Sequence, residues 1–334
     1  MKRYRNKILI GAMLGFAVMA VTMLVSDINK IAEQAVNFPW LIMIPVLALR
    51  CVNWALRFGK WHFYLGVVGV KDIRVVDSAA VFLTGFVLAL SPGKVAEVLK
   101  SFMIKGLTGT PVPQTLPVIA AERLSDGLAV LILLGVSIVA LSASQYWPVV
   151  IVALLILGLL IALLQYRSFC LMLLHRAESL PLINRIANGL RVFYESSYEI
   201  VRWKNLVIAV GLGLIANFLD GVGVYLILIG LGLPATMATF FQALLVISLS
   251  VVVGSLSALP GGLGAADFSI GMTLGLVVGL FASAAGFATL LIRFVQLWWG
   301  VAIGATIGMM ARQRLFTPDL EADLSETPPE SMQA

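Results

Sequence analysis

Long apolar runs dominate the chain. A spanning helix takes about 20 apolar residues at about 1.5 Å rise each. Runs of that kind occupy residues 8–25, 39–58, 117–141, 148–164, 205–231 and 284–310. Two further apolar runs are broken by Pro-Gly, residues 77–106 at Pro92-Gly93 and residues 238–281 at Pro260-Gly261-Gly262. Each predicts two helices joined at a tip, a hairpin that leaves on the side it entered. The pattern leaves open whether a hairpin is re-entrant or fully spanning. It predicts an all-α polytopic membrane protein with about six full spans plus two hairpins. Between residues 165 and 204, Ile183, Ile186, Leu190 and Phe193 form an apolar stripe, with Arg185, Arg191, Glu195 and Glu199 off it. That predicts an amphipathic helix at the cytoplasmic interface. Residues 313–334 hold five acids and three prolines and read as a disordered cytoplasmic tail.

Charge orients these elements. Only 12% of the 334 residues are charged, about half the share usual in soluble domains. Lys and Arg outnumber Asp and Glu by 23 to 17, and the excess belongs in loops facing anionic lipid. Residues 1–7 carry four positive charges, which places the N-terminus in the cytoplasm. Residues 57–77, with Arg57, Lys60, Lys71 and Arg74 against Asp72 and Asp77, and residues 165–204 read as inside loops. The uncharged loops 142–147 and 232–237 read as outside, and Arg312 and Arg314 return the C-terminus to the cytoplasm. The expected location is a bacterial cytoplasmic membrane. No basic soluble segment exists to bind nucleic acid. Cys51, Cys170, His62 and His175 lie at no metal-ligand spacing, so no metal or other cofactor is expected. Trp40, Trp147 and Trp203 fall at span ends, as an aromatic belt would place them, whereas Trp298 and Trp299 fall mid-span.

The two Pro-Gly breaks belong to an internal repeat. SPGKVAE (91–97) and LPGGLGAAD (259–267) each end in an acid, Glu97 and Asp267. Arg123 follows Glu97 by 26 residues, and Arg293 follows Asp267 by 26. The two copies are offset by 170 residues, with repeat one at about 39–141 and repeat two at about 205–310. In the topology above, one copy enters from outside and the other from inside. The copies are therefore inverted, an architecture that secondary transporters use around a midplane substrate site.

Several residues carry possible chemistry. Ser91 is a favoured helix cap and Pro92 a favoured first helical residue. A helix starting there would aim free N–H groups and a positive dipole end into the membrane, an anion site to which Gly93 and Lys94 could add. The alternative is a plain hairpin turn with Lys94 reaching to water. Arg123 and Arg293 are costly inside spanning helices. Either they clamp a lipid phosphate, for which guanidinium geometry is suited, or they close ion-pair networks with Glu97, Glu122, Asp126 and Asp267. Arg293 has no acid nearby in sequence, so its partner is Asp267, Asp220 or a ligand. Asp220 and Arg50 occupy matching places in the two copies with opposite sign. Gly271, Gly275 and Gly279, and again Gly300, Gly304 and Gly308, recur every four residues and suit close helix packing. No nucleophile–base pair, zinc motif or phosphate-binding loop is present, so no enzyme activity is expected.

The runs PGKVAEVLK, AAERLSDGL and LPGGLGAAD, in this order on this apolar background, resemble the flippase-like membrane domain of the lysylphosphatidylglycerol synthase/flippase family and UPF0104-type membrane proteins. The resemblance spans roughly residues 5–312. Ala96 stands where the family commonly has Gly, and Asp267 where it commonly has Glu. The resemblance implies translocation of an anionic or aminoacylated phospholipid, or of an isoprenoid-type lipid. Members of this length occur beside hopanoid-synthesis enzymes. The larger members carry an aminoacyltransferase domain after this region, and its activity is not expected here. The alternatives are a secondary transporter of a small solute or ion and a non-catalytic partner of a lipid-modifying enzyme. The expected partner is a lipid with an anionic headgroup, with a homo-oligomer or a lipid-synthesis enzyme left open.

Overall fold

The computed structural model describes residues 13, 28–90, 97–167, 170, 172 and 187–315. The predicted span 8–25 (Met13 apart) and residues 91–96 lie outside this set, as does the acidic tail after Leu315. Among the described residues seven helices are long and apolar enough to cross a membrane. The chain is a multi-pass, all-α membrane protein.

Helix α1 (Ile28–Asn37) precedes α2 (Met43–Val67), which a short 3-10 turn at Trp40–Ile42 extends to a 28-residue candidate span. The first hairpin consists of α3 (Val75–Leu88) and α4 (Leu99–Thr108). Gly109 ends α4 in the left-handed conformation, φ 73°, which costs glycine little. Pro111 then caps α5 (Val112–Ala140), and Pro113 lies in its first turn, where proline's fixed φ suits. Next come α6 (Trp147–Gln165), α7 (Ala187–Val201) and α8 (Trp203–Gly230). The second hairpin consists of α9 (Met237–Leu256), capped by the Thr236 hydroxyl on the Thr239 N–H, and α10 (Ala265–Thr273). The last span runs through α11 (Ala282–Arg293), a π-helical turn at Phe294–Trp298 and α12 (Trp299–Met310).

The hairpins are unequal. At about 1.5 Å per residue, the 14-residue α3 is too short to cross the bilayer, and the described part of the second arm is the 10-residue α4. Met237–Leu256 and Pro260–Val278 are each long enough.

The 170-residue offset is visible in the helices. Val112–Ala140 maps onto Ala282–Met310 residue for residue. Helices α2 and α8, the first of each copy, pack against each other. Their contacts run antiparallel: Arg50 meets Asp220, Asn53 donates to the Ala216 carbonyl, and Val46 lies against Gly223. The last two contacts exchange under the offset, since Asn53 corresponds to Gly223 and Val46 to Ala216. Equivalent helices packed antiparallel are related by a two-fold axis across them, which passes beside Arg50 and Asp220. That is the geometry of an inverted repeat. The hairpins also cross over: α3 packs on α12 of the other copy, and α9 packs on α5. At the first of these contacts a Cβ on Gly304 would lie 2.5 Å from the Leu83 carbonyl oxygen, so only glycine fits.

One expectation needs correction. Arg57 and Lys60 are not in a loop. The helix that the apolar run ends at residue 58 continues to Val67, because both cations find carboxylate partners inside the protein. Without them, the 57–77 segment keeps Lys71 and Arg74 against Asp72 and Asp77, and its positive excess disappears. The described helix of the predicted amphipathic segment is α7. Tyr194, Ser197, Ile200 and Val201 are buried, and the helix packs along α5. Ile183, Arg185 and Ile186 of the predicted stripe are outside the described residues. The aromatic belt agrees with expectation: Trp40, Trp147 and Trp203 are exposed at the starts of their spans.

Candidate functional site

The second hairpin tip shows why the sequence turns where it does. Gly261 and Gly262 adopt φ 58° and 67°, and a Cβ on Gly262 would meet the Gly254 backbone at 3.1 Å. Both features require glycine. Pro260 starts this turn, and Asp267 sits in the first turn of α10. There its Oδ2 accepts from the Gly264 N–H at 2.9 Å, capping the helix. Its Oδ1 accepts from Arg293 Nε at 3.0 Å, and Arg293 Nη2 donates to the Gly261 carbonyl at 3.0 Å. One buried arginine thus ties together the tip, the helix start and the last span. The Gly261 N–H in turn donates to the Ala89 carbonyl at 3.2 Å, so the second tip touches the end of α3.

The first copy holds a larger charge network. Arg123 Nη2 donates to both oxygens of Glu97, each at 2.9 Å. The Glu97 side chain is 4% exposed and that of Arg123 is 49% exposed. One helical turn beyond Glu97, Lys100 Nζ donates to Glu122 Oε2 at 2.9 Å and lies 3.9 Å from the Trp61 ring centre. Asp126 does not pair with Arg123. It accepts from Arg57 Nη1 at 2.6 Å and from Lys60 Nζ at 2.5 Å. Arg50 donates from Nη1 to both Asp220 oxygens and from Nη2 to the Gln296 carbonyl. Gln296 lies in the π-helical turn, where i→i+5 bonding displaces main-chain acceptors from the regular ladder.

These pairs surround a cavity of about 580 Å³. Arg50, Arg57, Lys100, Arg123 and Arg293 line it together with Glu97, Glu122, Asp126 and Asp220. Apolar side chains of α5, α6 and α9 complete the wall, including Val130, Ile156, Leu157 and Leu256. Ile156 and Leu256 are 55% and 65% exposed.

The structure therefore brings Glu97, Glu122, Asp126, Arg123, Arg293, Gly261 and Gly262 to one cavity, with Asp267 behind Arg293. Ser91, Pro92, Gly93 and Lys94 lie outside the described residues. No sequence pattern singles out Lys100, and hydropathy alone places Arg57 and Lys60 in a loop. A signal existed for the latter two. Arg50, Asn53, Arg57, Lys60 and Tyr64 recur at three- and four-residue steps, one polar stripe along α2. On a spanning helix such a stripe faces protein or a cavity rather than lipid.

Comparison with known proteins agrees with this architecture. A family model described as the lysylphosphatidylglycerol synthase TM region matches residues 9–304. A UPF0104 membrane protein of Methanothermobacter thermautotrophicus is 26% identical over 296 residues, covering 83% of this chain and 85% of that one. The chain belongs to the lysylphosphatidylglycerol synthase TM region family.

Proposed function

We infer that the protein moves a phospholipid or isoprenoid-type lipid with an anionic headgroup between leaflets of a cytoplasmic membrane, with both termini in the cytoplasm. One observation carries this reading. The cavity joins charged groups to apolar side chains, Ile156 and Leu256, that also belong to the exposed surface of spanning helices. A lipid needs both surfaces at once, a polar site for the headgroup and an apolar side for the chains. Arg123 is the headgroup ligand of this scheme. It is half exposed, and its guanidinium engages Glu97 through one nitrogen, which leaves donors for a phosphate. Glu97, Glu122 and Asp126 hold the cations in place and take them back when the headgroup leaves. Arg293 and Asp267 brace the second tip. The Ser91–Lys94 segment, directly before Glu97, is a second headgroup contact in this scheme. No step calls for bond making, so the protein is a carrier rather than an enzyme.

The test is leaflet exchange of a fluorescent phosphatidylglycerol in liposomes holding purified protein. Exchange by the wild type and its loss in folded Arg123→Ala is the expected result. Absence of exchange across phosphatidylglycerol, phosphatidate, aminoacylated phosphatidylglycerol and polyprenyl phosphate would overturn the reading.

A further inference from the structure

The second copy of the repeat shows how one place of the first copy packs without charge. Lys100 corresponds to Ile270, and Glu122 to Ile292. Ile270 and Ile292 are 0% and 1% exposed and belong to one core cluster. The same place between hairpin arm and long helix therefore closes with two apolar side chains. The fold does not need an ion pair there, and buried pairs are often no more stabilising than apolar residues of similar volume. Yet in the first copy Lys100 and Glu122 are buried, paired and part of the cavity lining. Stability does not account for the charges.

We propose that Lys100 is an anion ligand of the cavity, held by Glu122 until the phosphate of a headgroup takes the carboxylate's place. Three features fit this exchange and rest on the lipid-carrier reading only for the source of the phosphate. Glu122 and Arg123 are consecutive, so the partner of Lys100 and the exposed arginine share one turn of α5. The Trp61 ring, 3.9 Å from the ammonium, holds the cation while its carboxylate partner changes. Gly85 gives the lysine stem its slot, since a Cβ there would lie 3.0 Å from Lys100 Cδ. The two rungs Glu97–Arg123 and Lys100–Glu122 then act together, each cation passing from a carboxylate to phosphate and back. In the second copy only the Asp267–Arg293 rung exists, and it is committed to the tip.

The experiment measures binding of dioctanoyl phosphatidate and of inorganic phosphate to the detergent-solubilised protein by calorimetry, for wild type, Glu122→Gln, Lys100→Gln and the double variant Lys100→Ile/Glu122→Ile. Glu122→Gln removes the competing carboxylate and is expected to tighten phosphatidate binding. Lys100→Gln and the double variant are expected to weaken it about tenfold, the effect of one charge-assisted hydrogen bond. The double variant copies a packing that the second half already uses, so it is expected to melt at or above the wild-type temperature. Weaker binding in Glu122→Gln, or unchanged binding in a folded double variant, overturns the proposal. Tightening of phosphatidate alone points to a lipid headgroup, and tightening of both ligands points to free phosphate. Because binding is read without transport, a protein that binds in this pattern but exchanges no lipid refutes the carrier function and leaves the ligand role of Lys100 standing.

Discussion

The two copies of the repeat share a backbone plan and divide the labour. In the first, cations and carboxylates face a cavity: Arg123 is half exposed, and Lys100, Arg57 and Lys60 stand behind it on paired acids. In the second, several of the matching positions are apolar or closed, although Asp220, Arg293 and Gln296 also line that cavity. Ile270 and Ile292 replace Lys100 and Glu122, Ile227 replaces Arg57, Gly230 replaces Lys60, and Arg293 is 6% exposed on its side chain. In the proposed scheme one half supplies the headgroup ligands and the other supplies the frame that holds them. The difference also separates two uses of an arginine in a membrane helix. An arginine whose donors go to a capped aspartate and a tip carbonyl is a brace. One that is half exposed in the cavity beside its carboxylate is, in the proposed scheme, a ligand in waiting.

The arginines test this contrast most sharply. Arg293→Ala leaves Asp267 buried and uncompensated and releases the Gly261 carbonyl, so a loss of about 3–5 kcal/mol is expected, read as a large drop in melting temperature in detergent. The matching Arg123→Ala is expected to cost about 1–2 kcal/mol, because Arg123 is half exposed and Glu97, though buried, lines a cavity that water can enter. It is nevertheless expected to abolish exchange. Equal destabilisation by both would break the contrast. Next in size is the apolar rung: Ile292→Ala is expected to cost about 2–4 kcal/mol by leaving a void in the core of the second copy, measured by thermal unfolding. The cross-over contact is smaller. Gly304→Ala places a methyl against the Leu83 carbonyl and is expected to cost about 1–3 kcal/mol, with exchange falling too if α3 moves against α12. Smallest is Arg167→Ala. Its partner Glu195 is about one-third exposed and Arg167 about half exposed, so no measurable change in melting temperature is expected.

Much of this was legible in the chain because a repeat compares a sequence with itself. The Pro-Gly breaks, the acids and the arginines 26 residues on needed no structure to be seen as pairs. Arg50 and Asp220 could be matched by position, though only the fold shows them bonded to each other. Lys60, Arg57 and Lys100 were obscured for a physical reason. Hydropathy along a window cannot tell a cation that reaches water from one that reaches a carboxylate, and the partner of Lys60 is Asp126, 66 residues away. The unequal length of the two first arms was hidden as well, since a Pro-Gly break looks the same whether the helix before it has 14 residues or 20.

A residue on a two-fold axis meets its own counterpart. In an assembly of two identical half-length chains, arginine at the position of Arg50 would face arginine, and aspartate would face aspartate, with like charges in contact inside a membrane. Only a neutral residue would serve there. Once both halves are carried on one polypeptide, the two positions are free to diverge, and the contact becomes Arg50 to Asp220 at 2.8 Å. That bond marks the chain as one in which duplication has passed beyond symmetry. Its halves are no longer interchangeable, and a protein rebuilt from two copies of either one could not make it.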